Sequence, residues 1–180
     1  IDAFPPGQSY GTWYDEMLIH ENRIVVIGYS YAVYATEIGL FRIDDNGRIT
    51  HERTFFLRSA DYYSSRNYAS RLVDSTLIFY MPLPLFGYNY QTDTESVQLP
   101  AYKNRRNGAV DTEWNNIIEA TEIYRPVQPS LYPTLHTVVK CDLDSAELEC
   151  SAQAVTGPYS RSFYVSGDAV YLWVSGQEVY

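Results

Sequence analysis

The chain has 180 residues, 46% of them hydrophobic, enough for one domain that buries roughly 70% of the surface its unfolded form exposes. Twenty-two acidic against 13 basic residues give a formal charge of −9, which argues against a nucleic-acid partner because phosphate backbones repel such a surface. No run approaches the ~18–20 apolar residues of a membrane span.

Eighteen Tyr, 7 Phe and 3 Trp favour pleated, half-buried surfaces, with rings packed and hydroxyls reaching water or a partner. Sheet is therefore expected over helix. The chain opens without Met or a basic-plus-apolar leader, and it stops in Gln177-Glu178-Val179-Tyr180 just after a predicted strand. That is the pattern expected of a piece of a longer protein whose leader was removed or lies elsewhere.

After an opening loop with Pro5-Pro6-Gly7, strands are predicted at Met17–His20, Arg23–Tyr31, Thr36–Ile43 and Arg48–Leu57. Turns fall at Glu21-Asn22 and at Asp44-Asp45-Asn46-Gly47, where Asn-Gly is a strong hairpin signal because both residues tolerate positive φ. In the fourth strand Ile49, His51, Arg53 and Phe55 are expected on one face. Strands follow at Tyr68–Val73 and Thr76–Pro82, then much later at Thr134–Asp142 and Glu147–Val155, and another begins at Arg161.

One hairpin recurs. Ile19 and Ile24, Leu72 and Leu77, and Val165 and Val170 each stand five positions apart across a polar turn, and a recurring hairpin is the mark of a repeat fold. Ile24 to Leu77 is 53 positions and Leu77 to Val170 is 93; the 40 extra residues match an insertion over 84–131. Four antiparallel strands in about forty residues fit one propeller blade. The expected fold is all-β: a β-propeller-like fragment of about two and a half four-stranded antiparallel blades. The whole of 1–180 forms one such fragment, with units at 13–57, 65–155 and 161–180. The insertion carries Gly87, Pro100, Asn107-Gly108, Pro126 and Pro129 and is expected to be mostly irregular or extended. A short helix is predicted over Asp111–Ile123, with Asp111 as N-cap and Trp114, Ile117 and Ile118 on one face.

Cys141 and Cys150 flank a hairpin that folds about Ser145-Ala146. Its symmetry sets them opposite each other, within reach of a disulfide, which would imply an oxidising compartment. The alternative is a pair of packed, reduced thiols.

Tyr68-Ala69-Ser70-Arg71-Leu72-Val73-Asp74, followed by an apolar strand, resembles the blade-opening hairpin of a family of secreted bacterial proteins. These carry a C-terminal β-propeller domain distantly related to WD-40 repeats. Leu99-Pro100-Ala101-Tyr102, Trp114, Ile123-Tyr124-Arg125-Pro126 and then Thr134 to Leu143 follow in an order similar to that family's, and the match covers roughly residues 14–175. The resemblance implies a propeller that is secreted, periplasmic or on the cell surface. It carries over no catalytic residue. Two units and part of a third cannot close a ring of four to eight blades, so further blades are expected in a longer parent chain; alone, the fragment would expose sheet edges.

Residues that could carry chemistry are each weighed against a plainer role. Gly28-Tyr29-Ser30-Tyr31-Ala32 is similar to a nucleophile elbow, but the elbow needs a helix after Ser30, and Val33 to Ile38 reads as strand. His20, His51 and His136 lack partners at zinc-site spacing. The turns Asp44-Asp45-Asn46-Gly47 and Asp142-Leu143-Asp144 hold too few oxygens for a calcium loop. Asp111, Glu113, Glu119 and Glu122 suggest paired glycosidase carboxylates, although Glu119 and Glu122 suit a solvated helix face. Lys103, Arg105 and Arg106 form the sole basic cluster, expected in a polar loop. Tyr62, Tyr63, Tyr68, Tyr88, Tyr90, Tyr102 and Tyr124 could build a carbohydrate or protein platform, or pack between blades.

The resulting expectation is a non-catalytic binding or interaction module with no cofactor and no metal site, its ligand (protein or carbohydrate) held where loops converge on the propeller axis. The insertion would serve as a lid or docking arm. The competing expectation is a hydrolase of an extracellular polymer with its site in the propeller channel.

Overall fold

The computed structural model of the chain describes residues 12–59, 69–89, 94–126, 133–145, 148–159, 162–166 and 168–174. β1 (Thr12–His20), β2 (Arg23–Ser30), β3 (Ala35–Ile43) and β4 (Ile49–Leu57) run as an antiparallel meander. The Asn46-Gly47 turn forms as its sequence requires: Gly47 sits at φ 78°. Asp44 Oδ1 accepts from the backbone N–H groups of Asn46 and Arg48 at 2.9 and 2.8 Å. β5 (Ala69–Val73) and β6 (Thr76–Pro84) open a second sheet. The segment after them contains β7 (Phe86–Asn89), β8 (Thr94–Val97), β9 (Ala101–Arg106), β10 (Ala109–Val110) and β11 (Asn115–Asn116). β12 (Thr134–Asp142) and β13 (Glu149–Gly157) then complete that sheet in the order β13-β12-β6-β5, and β14 (Ser162–Val165) pairs with β15 (Val170–Trp173). The protein is all-β, with antiparallel sheets, one of them a curled half-barrel. No helix among the described residues is long and apolar enough to cross a membrane.

Period-two alternation explains why the two large sheets stack. Odd positions of β2 (Val25, Ile27) and β6 (Leu77, Phe79, Met81) point to the same side as Ile38, Leu40, Phe55 and Leu57, and with Val139 and Cys141 they form one core. All are at most 1% exposed, and burying each such side chain contributes about 1.5–3 kcal/mol. The far face of the second sheet receives the β14–β15 hairpin, whose Phe163 ring lies 4.6 Å from that of Tyr80.

Cys141 and Cys150 are direct cross-strand partners and are bonded to each other, with S–S 2.08 Å. The tip of their hairpin is clasped by the first sheet. Arg53 donates from Nη1 to Ser145 O (3.0 Å) and from Nη2 to Leu143 O (2.7 Å), and Arg23 Nη1 donates to Asp144 Oδ1 at 2.6 Å. Leu143 and Leu148 turn inward, 2% and 7% exposed.

The insertion is partly extended, as expected, and it also pairs with the first sheet: β9 lies beside β4 at Thr54↔Arg105 to Leu57↔Tyr102, covering an edge expected to be bare. Two expectations are corrected. The helix over Asp111–Ile123 is absent; only Ala120–Glu122 coils, as a 3-10 turn. Trp114, the residue that suggested an apolar helix face, is instead held between two cations, with Arg58 4.7 Å and Lys103 5.0 Å from its ring centroid. The alternation in β4 is broken by a bulge, because Phe41 faces His51 whereas Leu40 faces Arg53. Glu52 is the extra residue, and it turns His51 to the side opposite Arg53 and Phe55.

Candidate functional site

The residues singled out in the sequence do not converge. Ser30 ends β2, is 1% exposed, and its carbonyl accepts from Tyr34 N at 2.7 Å; a turn and then β3 follow, so strand–turn–strand stands where an elbow needs a helix. His20 ends β1, His51 lies on the first sheet and His136 on the second. No three His, Cys, Asp or Glu among the described residues are grouped as metal ligands. Asp142 is used within its own turn, accepting from Asp144 N (2.9 Å) and Ser145 Oγ (3.2 Å). The hydrogen bond from Arg23 holds the Asp144 carboxyl below the usual carboxylate range. Asp111 Oδ2 accepts from Asn104 N at 2.9 Å, and Glu122 Oε2 caps Glu119 N at 2.9 Å; both pin local turns. Lys103, Arg105 and Arg106 lie on β9 rather than in a loop. Tyr102 packs on the core and Tyr124 is 70% exposed. Tyr62, Tyr63, Tyr68 and Tyr90, with the side chain of Tyr88, lie outside the described residues.

The first sheet buries a carboxylate that was not anticipated. Glu37, 1% exposed, projects from the middle of its outer face. Tyr14 Oη donates to Glu37 Oε1 at 3.0 Å, and Thr12 Oγ1 to Oε2 at 3.0 Å. Arg105 Nη1 approaches Oε1 at 3.4 Å while its guanidinium lies 5.1 Å from the centroid of Phe56. Tyr14 spans two strands to get there, over Gly28, its register partner. A Cβ on Gly28 would sit 2.3 Å from the Trp13 carbonyl oxygen and 2.8 Å from Tyr14 Cδ1, so only glycine lets the ring lie flat. Burial, and then the negative charge of Glu37, raises the Tyr14 hydroxyl above its ordinary pKa, so Tyr14 stays a neutral donor. All three donors are turned on the carboxylate, so the cluster ties β1 and β9 to β3. A lone carboxylate in the otherwise uncharged Ala35–Leu40 run, one strand from a glycine, is the signal that could have found it.

The second sheet carries a different polar pair on its outer face. His136 Nε2 lies 2.9 Å from Pro158 O, and its Nδ1 lies 3.0 Å from Tyr80 Oη. A carbonyl only accepts, so Nε2 bears the proton. Burial lowers the pKa of His136 and favours the neutral ring, in which Nδ1 accepts from the tyrosine hydroxyl.

The insertion and the second sheet together border a half-open hollow of about 830 Å³. Its described walls include Leu85, Val97, Leu99, Ile123, Pro126 and Pro133, with Thr156 and Arg125 as polar side chains. Leu85 and Ile123 also pack on the small cluster of Leu83, Ile118, Leu135 and Ala154, so the cavity floor is continuous with buried core. One wall is fixed by main-chain bonds along β13: Tyr124 N donates to Ala154 O (2.9 Å) and Thr156 N to Tyr124 O (2.8 Å). These hold Arg125 at the cavity beside an otherwise apolar lining. Concave, mainly apolar sites of this size with few polar groups are the usual form of small-ligand sites.

Against this geometry, no family model matches the chain, and neither a curated protein nor a solved structure shows significant similarity to it.

Proposed function

We propose that the chain is part of an extracytoplasmic β-propeller of the kind its sequence resembles, and that it acts as a non-catalytic binding module. The observation that carries this reading is the stack: the β1–β4 meander, widened by strands of the insertion into a seven-stranded sheet, then a second meander interrupted by the insertion, and the start of a third unit, packed face to face. Successive propeller blades are related in this way. Apolar residues stand exposed at both ends of the stack, Met17 and Ile19 at one and Tyr164, Tyr171 and Trp173 at the other. That fits faces covered by further blades of a longer parent chain. The Cys141–Cys150 disulfide is compatible with export. The buried titratable groups support binding rather than turnover: Glu37, Arg23 and His136 are engaged in scaffold contacts instead of meeting in one cleft, which a catalytic site would require.

Two measurements test the reading. Thiol titration of the denatured, unreduced protein is expected to find no free thiol; two free thiols after oxidising purification would remove the support for export. A panel of chromogenic ester, glycoside, phosphate and peptide substrates is expected to give no turnover above a heat-denatured control. Turnover that disappears in Glu37→Gln or in a histidine variant would overturn the non-catalytic assignment.

A further inference from the structure

We infer that the cavity between the insertion and the second sheet binds an amphipathic carboxylic acid, with its apolar body in the cavity and its carboxylate on Arg125. This deepens the binding-module reading and rests on it. The lining supplies apolar contact from Leu85, Val97, Leu99 and Ile123, and no acidic side chain is found among its described residues. Arg125 is the charged residue among the described residues of the wall, and among the described residues it has neither a hydrogen-bond nor an ion-pair partner. Four other arginines are engaged: Arg23 by Asp144, Arg42 by Glu52, Arg53 by two carbonyls, Arg58 by Leu99 O. In a chain of net charge −9, an unengaged guanidinium beside an apolar hollow is a local exception in sign. A guanidinium presents paired donors that match a carboxylate in a bidentate pair. The backbone bonds of Tyr124 to β13 hold the residue before it in place, so part of the ordering cost of binding is already met.

The test is calorimetric titration of the chain with decanoate, 1-decanol and decylammonium, each below its aggregation concentration. Decanoate is expected to bind at one site, at least about tenfold more tightly than decylammonium. Arg125→Gln, at an exposed position that leaves the core untouched, is expected to weaken decanoate at least about tenfold and to leave 1-decanol unchanged. Val97→Trp, which fills the hollow from a side chain 53% exposed, is expected to weaken both. Near-ultraviolet circular dichroism checks that each variant is folded. Equal affinity for decanoate and 1-decanol in the parent chain, decanoate binding indifferent to Arg125→Gln, or no saturable binding by folded protein up to millimolar ligand would each overturn the inference. These failures are separable from that of the broader reading, which falls on turnover in the substrate panel and not on loss of decanoate binding.

Discussion

The two large sheets use the same strand logic and are tied together by different means. The first is a continuous meander over β1–β4 to which β9 is added from the insertion, and the Glu37 carboxylate ties Tyr14, Thr12 and Arg105 on either side of β3. The second is interrupted between β6 and β12, and its late hairpin is held by the Cys141–Cys150 bond and by Arg53 and Arg23 at the tip. Local continuity lets the first sheet rely on a polar cluster worth a few hydrogen bonds. The second brings together strands far apart in sequence, while its disulfide closes only the local β12–β13 hairpin, across a sequence separation of 9, and limits the freedom of that hairpin in the unfolded chain.

If that contrast holds, losing the disulfide should be the largest single effect. Cys141→Ser with Cys150→Ser is expected to cost roughly 2–3 kcal/mol, from the loop-closure entropy of a short loop. Amide exchange should rise first in β12 and β13, as read by hydrogen–deuterium exchange; uniform acceleration across both sheets would erase the distinction. Glu37→Gln should cost about 1–3 kcal/mol, because it removes a buried acceptor that three partly exposed donors address. Its exchange signature should fall on β1 and β9. Tyr14→Phe removes one of those donors and should cost about 0.5–1.5 kcal/mol by urea midpoint.

The smallest effect is the acid response. Burial lowers the pKa of both His136 and His51 in the folded protein, so the unfolded chain takes up these protons first as pH falls. Stability from the two neutral imidazoles is fully present above the unfolded value of about 6.5. It is lost progressively as pH drops from there through the lowered folded values. His136→Gln should flatten part of that decline in urea midpoints measured between pH 7.5 and 5. A decline identical to that of the parent chain would show that His136 does not contribute.

Strands were legible in the sequence wherever pairing is local. Thr134–Asp142 and Thr76 onward fall where their β-branched and apolar runs put them, and the symmetry of residues 141–150 placed the cysteines in register. What escaped depends on contacts far along the chain. Nothing near Ala101–Arg106 announces that it will pair with β4, since its alternation is weak and its partner lies some fifty residues earlier. The Glu52 bulge cannot be read from β4 alone, because it is a mismatch with β3. Trp114 shares helical spacing with Ile117 and Ile118, yet its ring is claimed by cations from two separate segments. The cavity was legible only as an insertion. Its walls come from both sides of residues 90–93 and 127–132, brought together by the β7–β8 pairing and the Tyr124 bridge.

The interruption of the second sheet also sets an order of events during synthesis. The β1–β4 meander is complete once residue 57 is free to fold, and β5–β6 forms its own hairpin soon after. β6 then waits, with one apolar edge unsatisfied, until residues 134–142 follow it from the ribosome. An unpaired strand rich in Leu, Ile, Phe and Tyr is a template for pairing with a neighbouring chain. Production yield should therefore respond to translation speed through residues 85–133 and to chaperone supply, while the Cys141–Cys150 bond can form only after residue 150 has emerged.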